Sequence, residues 1–202
     1  IILDFDGVIV ESNDIKYKVF QEIFKRFPDH YSEVLQYHRT HVSLSRYAKF
    51  DFLLERIGRP GDRELKETLL SDFSHITLEK MKSVPFVNGA KEFLQSFYNT
   101  MPLYLASVTP IADLEIILAN LGIRLFFKDV YGCPPWTKPG AILDILIKEN
   151  ISPAMAVLFG YSYGDQRVAS ETGIHFIGRD SGLIFQKPFP SMIISDLTGF
   201  SE

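Results

Sequence analysis

The chain has 202 residues and a formal net charge of −4, and 46% of its residues are hydrophobic. This is enough apolar material for one domain with an insertion or for two small domains. The acidic balance argues against nucleic-acid binding, and the single cysteine, Cys133, excludes a disulfide framework within the chain and suits a reducing compartment. We recognise no apolar run of membrane-spanning length and no signal peptide, so we expect no membrane association and a cytoplasmic location.

The first ten residues form an apolar run that contains two carboxylates, Asp4 and Asp6, followed by Gly7. Such a run predicts a buried strand, and alternation along a strand directs Asp4 and Asp6 to the same side. In open α/β sheets, ligands bind at the carboxyl ends of the strands. Buried carboxylates are costly unless a cation pairs with them. We therefore interpret this pair as functional rather than as a cap of the next turn.

Residues 13–82 have the periodicity of helices and show no strand pattern. The predicted helices cover about 13–27, ended by Pro28, a shorter segment around 31–37, then 45–57 and 64–81. We interpret this block as a helical subdomain inserted after the first strand.

From Pro85 onward, strand and helix patterns alternate. The predicted strands are 101–106, 129–132, 154–159, 174–177 and 192–194, and the predicted helices are 88–97, one ending at 121, 139–148 and one ending at 172. Thr109 is predicted to cap the second of these helices, with Pro110 in its first turn. The alternation predicts an α/β fold with a doubly wound parallel sheet, formed by residues 1–12 and 83–202.

Polar side chains stand at four of the predicted strand ends: Asp4 and Asp6, Ser107 and Thr109, Lys138, and Asp165. A phosphoryl-transfer site needs a nucleophile, a proton donor, donors to the phosphoryl oxygens and groups that hold a cation. Ser107 offers a hydroxyl beside a helix N-terminus, and Lys138 offers a fixed positive charge. Each alone is more simply a helix cap or a solvated loop residue. Their combination at strand ends favours a common site.

The segment Asp4-Phe5-Asp6-Gly7-Val8-Ile9 resembles the first motif of the haloacid dehalogenase (HAD) superfamily. Residues 106–110 resemble its second motif, Lys138-Pro139 its third, and 160–165 stand where its fourth is expected. The resemblance covers essentially the whole chain. Because the helical insert follows the first motif, it is similar to the C1-capped subfamily of phosphatases and β-phosphoglucomutase-like proteins, with a Rossmann-like core and an all-helical cap at 13–82.

This resemblance implies a role for each matching residue. Asp4 is the implied nucleophile and Asp6 the implied general acid/base, and an acid at the second position is typical of the phosphoryl-transfer branch. The implied catalytic set is Asp4, Asp6, Ser107 and Lys138. The implied phosphoryl contacts are Ser107, Val108, Thr109 and Lys138. The implied Mg²⁺ ligands are Asp4, Asp6 through its backbone carbonyl, and Asp165.

Tyr161 departs from the family pattern, which has an Asp at that position as a Mg²⁺ ligand. A phenol is neutral near pH 7 and is a poor ligand for a hard cation. The substitution removes one negative charge from the cation site and adds a ring, so we expect weakened metal binding. Val108, in place of the usual Gly, adds bulk to the second motif.

In the insert, the segment 41–50 resembles the specificity segment of C1 caps, where a Ser-Arg pair begins a cap helix. In sugar-phosphate mutases of this type the matching Arg holds the phosphate that is not transferred. Arg46 and Lys49 are thus candidates for binding an anionic substrate group, and a solvated basic helix face is the equal alternative.

We expect a Mg²⁺-dependent phosphomonoester hydrolase that acts on a small phosphorylated metabolite. Two alternatives stay open at this point. A sugar phosphomutase is favoured by Arg46, and a metal-deficient phosphate-binding or regulatory protein is favoured by Tyr161. The sequence leaves both the substrate and the oligomeric state open.

Overall fold

The computed structural model describes residues 1–190 and 192–200. The chain separates into two compact units, one formed by residues 1–12 and 84–202 and the other by residues 13–83. We call them the sheet unit and the helical unit. Among the described residues, no helix has the length and hydropathy needed to cross a membrane.

The sheet unit contains a sheet of six parallel strands. They are β1 (Ile2–Leu3), β2 (Tyr104–Ser107), β3 (Asp129–Gly132), β4 (Val157–Gly160), β5 (His175–Arg179) and β6 (Met192–Ile194). Their order is β3-β2-β1-β4-β5-β6, with each neighbouring pair parallel. The predicted α/β fold with a parallel sheet is confirmed. The order reverses between β1 and β4, which is where α/β sheets of this kind open a crevice for ligands.

The described residues also form eight α-helices and three short 3₁₀ helices. The helical unit holds α1 (Asn13–Phe24), α2 (Tyr31–Thr40), α3 (Arg46–Arg56) and α4 (Arg63–Met81). The sheet unit holds α5 (Ala90–Phe97), α6 (Ile111–Asn120), α7 (Lys138–Glu149) and α8 (Tyr163–Thr172).

Helices cover both faces of the sheet. On one face, Leu158 of β4 belongs to a buried cluster that includes Ile142 of α7 and Val168 of α8. On the other face, the ring of Phe159 packs edge-on against Phe93 of α5, with centroids 5.4 Å apart. Successive residues of a strand point to opposite faces, so β4 is buried on both sides. This explains why its sequence is a continuous apolar run, and it makes the sheet doubly wound as predicted.

The helical unit packs around phenylalanine rings. Phe20 of α1 lies 4.3 Å from Phe73 of α4 between ring centroids, and Phe50 of α3 lies 6.0 Å from Phe73. Two of its helices begin at side-chain caps: Ser45 accepts from the amide of Ala48, and Asp62 from that of Leu65. The predicted helical block is therefore observed.

Several local predictions differ from the structure. Strand β1 ends at Leu3, before Asp4 and Asp6, and α1 ends at Phe24, before the predicted end at 27. The prediction that Thr109 caps α6 is wrong. Pro110 holds the N-cap position, and the Thr109 hydroxyl donates to the Asp6 carboxylate, 3.2 Å away. Strand β2 begins later than predicted, after Pro102, which has no amide hydrogen to donate to a neighbouring strand. Residues 153–155 form a 3₁₀ turn that opens with Pro153, so β4 begins at Val157.

Candidate functional site

The carboxyl ends of the strands bring together side chains that are far apart in the sequence. Asp4 directly follows β1, and Ser107 is the last residue of β2. Lys138 opens α7, which follows β3, and Asp165 lies in the first turn of α8, which follows β4. The structure places Asp4, Lys138 and Asp165 in direct contact at this edge of the sheet.

Lys138 is the buried cation of this cluster. Its Nζ lies 2.6 Å from Asp165 Oδ1 and 3.1 Å from Asp4 Oδ1, and its side chain is only 7% exposed. The Thr137 hydroxyl accepts from the Gly140 amide and so sets the start of α7 at Lys138, with Pro139 in the first turn. Burial opposes the charge, but contact with the two carboxylates outweighs it and raises the pKa of Lys138. Lys138 is therefore held as a fixed positive charge.

Asp165 has both carboxylate oxygens engaged. While Oδ1 accepts from Lys138, Oδ2 accepts from the amides of Tyr161 and Ser162 and from the Ser162 hydroxyl, which is 2.7 Å away. Ser162 and Asp165 form a capping box at the start of α8. A Cβ on Gly160 would stand 2.4 Å from that of Asp165, so only glycine permits this approach. Asp165 thus acts here as an anchor for Lys138 and for the loop.

Asp4 keeps one carboxylate oxygen less engaged. Its amide donates to the Phe159 carbonyl at 2.9 Å, and its Oδ1 accepts from the Phe5 amide as well as from Lys138. Burial raises the pKa of Asp4 to about 7, with Lys138 opposing the shift and the Asp165 and Asp6 carboxylates adding to it. The described residues leave Oδ2 without a hydrogen-bond partner.

Asp6 is oriented by two hydroxyl groups. Ser12 Oγ donates to Oδ1 at 2.5 Å, and Thr109 Oγ1 donates to Oδ2 at 3.2 Å. Gly7, with φ of +67°, turns the chain, and its amide donates to the Val10 carbonyl at 2.8 Å. This turn returns the chain so that Ser12 reaches the Asp6 carboxylate.

The second predicted motif lines the same edge. Ser107 is 3% exposed, and its Oγ accepts from the Thr109 amide at 3.1 Å. Val108, between them, is half-buried. The approach of this loop to β3 depends on Gly132, where a Cβ would lie 2.4 Å from the Ile111 nitrogen.

Tyr161 is buried among the acids of the site. Tyr161 is only 8% exposed, and its backbone amide donates to Asp165 Oδ2. Burial raises the pKa of its phenol well above the usual value, and the charges of Asp4, Asp6 and Asp165 add to the rise. The phenol therefore stays neutral and adds no negative charge near these carboxylates.

The donor set suits a magnesium ion that is held by few protein atoms. No group of three or more His, Cys, Asp or Glu within residues 1–190 and 192–200 is arranged to bind a metal. Mg²⁺ usually keeps several waters and needs only one or two carboxylates besides substrate phosphate. Asp4 fits that requirement, because its Oδ2 has no hydrogen-bond partner among the described residues, and the backbone carbonyl of Asp6 stays a predicted ligand. Asp165 fits as a ligand through water, because both of its oxygens already accept hydrogen bonds.

Arg46 and Lys49 are buried in the structure, at 6% and 4% exposure, so they are not part of a solvated helix face. The Arg46 guanidinium lies over the Phe73 ring at 4.6 Å and donates to Ser74 Oγ at 2.7 Å. Lys49 Nζ lies 5.1 Å from the Phe20 ring centroid and donates to a backbone carbonyl. Binding of a substrate anion by these two residues stays a prediction.

Two contributors were not identified in the sequence. Ser12, which is fully buried, orients Asp6, and Arg179 at the end of β5 contacts the turn after Asp6. The position of Ser12 directly after the first motif is a weak signal that could have drawn attention to it. For Arg179 the sequence offers no comparable signal, because 172 positions separate it from its partner Gly7.

Comparisons with known proteins agree with this geometry. The family model described as haloacid dehalogenase-like hydrolase matches residues 1–179. No curated protein sequence matches the chain.

Solved structures with this fold include a haloacid dehalogenase-like hydrolase from Streptococcus pneumoniae, with 20% identity, a TM-score of 0.75, and coverage of 97% of this chain and 93% of that one. β-Phosphoglucomutase from Clostridium difficile has 14% identity and a TM-score of 0.78, with coverage of 97% and 90%. A HAD-hydrolase from Bacillus subtilis, described as bound to magnesium, has 16% identity and a TM-score of 0.68, with coverage of 97% and 93%.

Proposed function

Because the chain belongs to the haloacid dehalogenase-like hydrolase family, we propose that it is a phosphatase that hydrolyses a small phosphomonoester through an aspartyl-phosphate on Asp4. The observation that supports this most directly is the buried Lys138 between Asp4 and Asp165 at the carboxyl edge of the sheet. In this arrangement one Asp4 carboxylate oxygen is available to attack phosphorus, and the adjacent Lys138 ammonium group offers a fixed positive charge that can bind the phosphoryl oxygens.

The reaction divides into two displacements. In the first, an Asp4 carboxylate oxygen forms a bond to phosphorus while the bond from phosphorus to the ester oxygen breaks. Asp6 gives its proton to the departing alcohol. In the second, Asp6 takes a proton from a water molecule whose oxygen attacks phosphorus, and the bond to Asp4 breaks. Inorganic phosphate leaves and Asp4 is a free carboxylate again.

The remaining residues of the site bind and orient. Lys138 and the Ser107 hydroxyl donate to phosphoryl oxygens, with Val108 and Thr109 forming the adjacent loop. Ser12 and Thr109 hold the Asp6 carboxylate in place for proton transfer. Mg²⁺, when bound by Asp4, the Asp6 carbonyl and Asp165 through water, supplies positive charge that offsets the negative charge of the phosphoryl group.

The helical segment 13–82 is, in this proposal, a cap domain that selects the substrate, and residues 1–12 and 83–202 are the catalytic domain. Arg46 and Lys49 would hold an anionic group of the substrate other than the phosphoryl group. Their burial on aromatic rings supports this, because ordered cations with few rotamers bind an anion at a lower entropic cost.

The proposal is tested by the hydrolysis of an aryl phosphate across a Mg²⁺ titration, for the natural chain and for Asp4→Asn. Turnover that requires Mg²⁺ and is lost in Asp4→Asn is the expected result. Turnover that persists in Asp4→Asn would exclude Asp4 as the nucleophile. Capture of an acid-stable but hydroxylamine-labile phosphoprotein would identify the acyl phosphate directly.

One observation favours a second candidate, a protein that binds phosphate esters without turning them over. Tyr161 adds a neutral ring where the resemblance expects a carboxylate, so a cation there is held by fewer charges. Binding of inorganic phosphate with no hydrolysis at saturating Mg²⁺ would favour this candidate. A mutase would instead return the phosphate to the sugar, so a bisphosphate intermediate in the product analysis would identify it.

A further inference from the structure

Arg179, at the end of β5, contacts the segment that carries Asp4 and Asp6. Its Nη1 donates to the Gly7 carbonyl at 2.9 Å and to Glu11 Oε2 at 3.0 Å, and its Nη2 also pairs with the Glu11 carboxylate. Its Nε donates to the Ser195 carbonyl at 3.1 Å. One planar guanidinium therefore connects residues on either side of the turn after Asp6 to the chain that follows β6.

The segment held in this way is the one that orients Asp6. Gly7 is the next residue after Asp6, and Glu11 precedes Ser12, whose hydroxyl donates to Asp6 Oδ1 at 2.5 Å. The turn between them has its own hydrogen bonds, from the Gly7 amide to the Val10 carbonyl and from the Ile9 amide to the Phe5 carbonyl. Arg179 adds a contact at each of its ends, and the contact with Gly7 is the one next to Asp6, so its loss would displace the Asp6 carboxylate.

We propose that Arg179 is a positioning residue for the proton transfer by Asp6, an inference that rests on the function proposed above. Arg179 acts through the Gly7 carbonyl and does not itself contact the reacting atoms. The Arg179 side chain is 12% exposed, whereas that of Glu11 is 42% exposed. An exposed ion pair contributes little, so the Gly7 contact is the part of the interaction that positions Asp6.

The test compares Arg179→Ala and Arg179→Lys with two matched controls. Glu11→Ala removes the ion pair but leaves the bond to Gly7. Arg124→Ala removes another guanidinium of the sheet unit, which pairs with Glu115 and donates to the Phe127 carbonyl at 3.0 Å, away from the turn. The assay measures kcat and KM for an aryl phosphate at saturating Mg²⁺. Amide hydrogen exchange of the peptide covering residues 4–12 is measured in the same proteins.

In Arg179→Ala we expect kcat to fall roughly 10- to 100-fold with KM changed by less than about threefold, because misplacement of a catalytic group affects the reaction step more than binding. Arg179→Lys should recover part of the loss. Both controls should stay within about twofold of the natural kcat. Exchange in residues 4–12 should be faster in Arg179→Ala and unchanged in the controls.

The proposal would be overturned if the kcat of Arg179→Ala equalled that of the natural chain. It would also be overturned if Arg179→Ala and Glu11→Ala lowered kcat by the same factor. If the natural chain does not hydrolyse aryl phosphates at all, the proposed function fails independently of the role of Arg179. The positioning role is then tested by the hydrogen-exchange measurement alone. Unchanged exchange of residues 4–12 in Arg179→Ala would then refute the positioning role.

Discussion

Replacing Tyr161 with Asp is expected to strengthen Mg²⁺ binding and to make the protein more dependent on it. Tyr161 is buried and neutral beside Asp4, Asp6 and Asp165, whose charges are offset within the cluster by Lys138. The substitution changes the formal charge of this group from −2 to −3. It also removes a buried phenol ring from beside these carboxylates.

The size of the gain follows from these charges. A unit charge about 4 Å from a singly charged cation contributes about 4 kcal/mol at an effective dielectric constant near 20, and a divalent ion doubles the attraction. Repulsion from the three existing carboxylates and dehydration of the new one offset most of this. We take about 2–3 kcal/mol as the net gain, which corresponds to a dissociation constant lower by roughly 30- to 150-fold. Without metal, the extra buried charge should destabilise the fold by about 3 kcal/mol.

The assay is a Mg²⁺ titration read in two ways, by the rate of aryl phosphate hydrolysis and by the midpoint of thermal unfolding. In Tyr161→Asp the half-saturating Mg²⁺ concentration should fall, and the unfolding midpoint should rise with Mg²⁺ more steeply than in the natural chain. Tyr161→Asn is the matched control, because it makes the same cavity without the charge.

Equal Mg²⁺ affinity in Tyr161→Asp and Tyr161→Asn would refute the reasoning, since the gain is attributed to the added charge alone. A natural chain that already binds Mg²⁺ as tightly as Tyr161→Asp would show that the protein has cation ligands other than Asp4, Asp6 and Asp165.

Three other substitutions have definite expected outcomes. Lys138→Met leaves Asp4 and Asp165 buried without their cation, so the free energy of unfolding in urea at pH 8 should fall by about 3–5 kcal/mol. Gly160→Ala puts a methyl group 2.4 Å from the Asp165 Cβ and should lower both the unfolding midpoint and kcat. Gly182→Ala, which has open space around it but a φ of +78°, strains only its own backbone and should leave kcat unchanged. Burial, with the nearby cations adding to it, lowers the pKa of His38 to about 3. A lowered histidine pKa stabilises the fold above the usual value of 6.5 and loses that contribution as the pH falls. Between pH 6.5 and pH 5, the natural chain should therefore lose about 2 kcal/mol more stability than His38→Leu does. Urea unfolding of both proteins at the two pH values measures this difference.

The order of elements was largely predictable from the sequence. Alternation of apolar runs with helical periodicity predicted the parallel sheet, because strands buried on both faces, such as β4, must be apolar throughout. The helical block was recognisable from residues such as Phe20 and Phe24, which recur at helical spacing and are buried in the structure. Both patterns are local, and local patterns are what a single sequence records.

The order and type of the polar residues at the strand ends were also evident from the sequence. The meeting of Asp4, Lys138 and Asp165 follows from parallel topology, which places strand ends at one edge whatever their separation along the chain. Tyr161 was likewise visible as a departure from a motif. The sequence by itself therefore determined the fold class and the chemical character of the site.

Only the tertiary structure decided how each of these side chains is used. Thr109 donates to Asp6, 103 positions away, instead of capping its own helix. Asp165 accepts hydrogen bonds from Lys138 with one carboxylate oxygen and from its own loop with the other. Arg179 donates to the carbonyl of Gly7, which is 172 positions away in the sequence. A hydroxyl, a carboxylate or a guanidinium has several possible partners within reach of its local chain. The choice among them is made by the packing of distant strands, which no short stretch of sequence specifies.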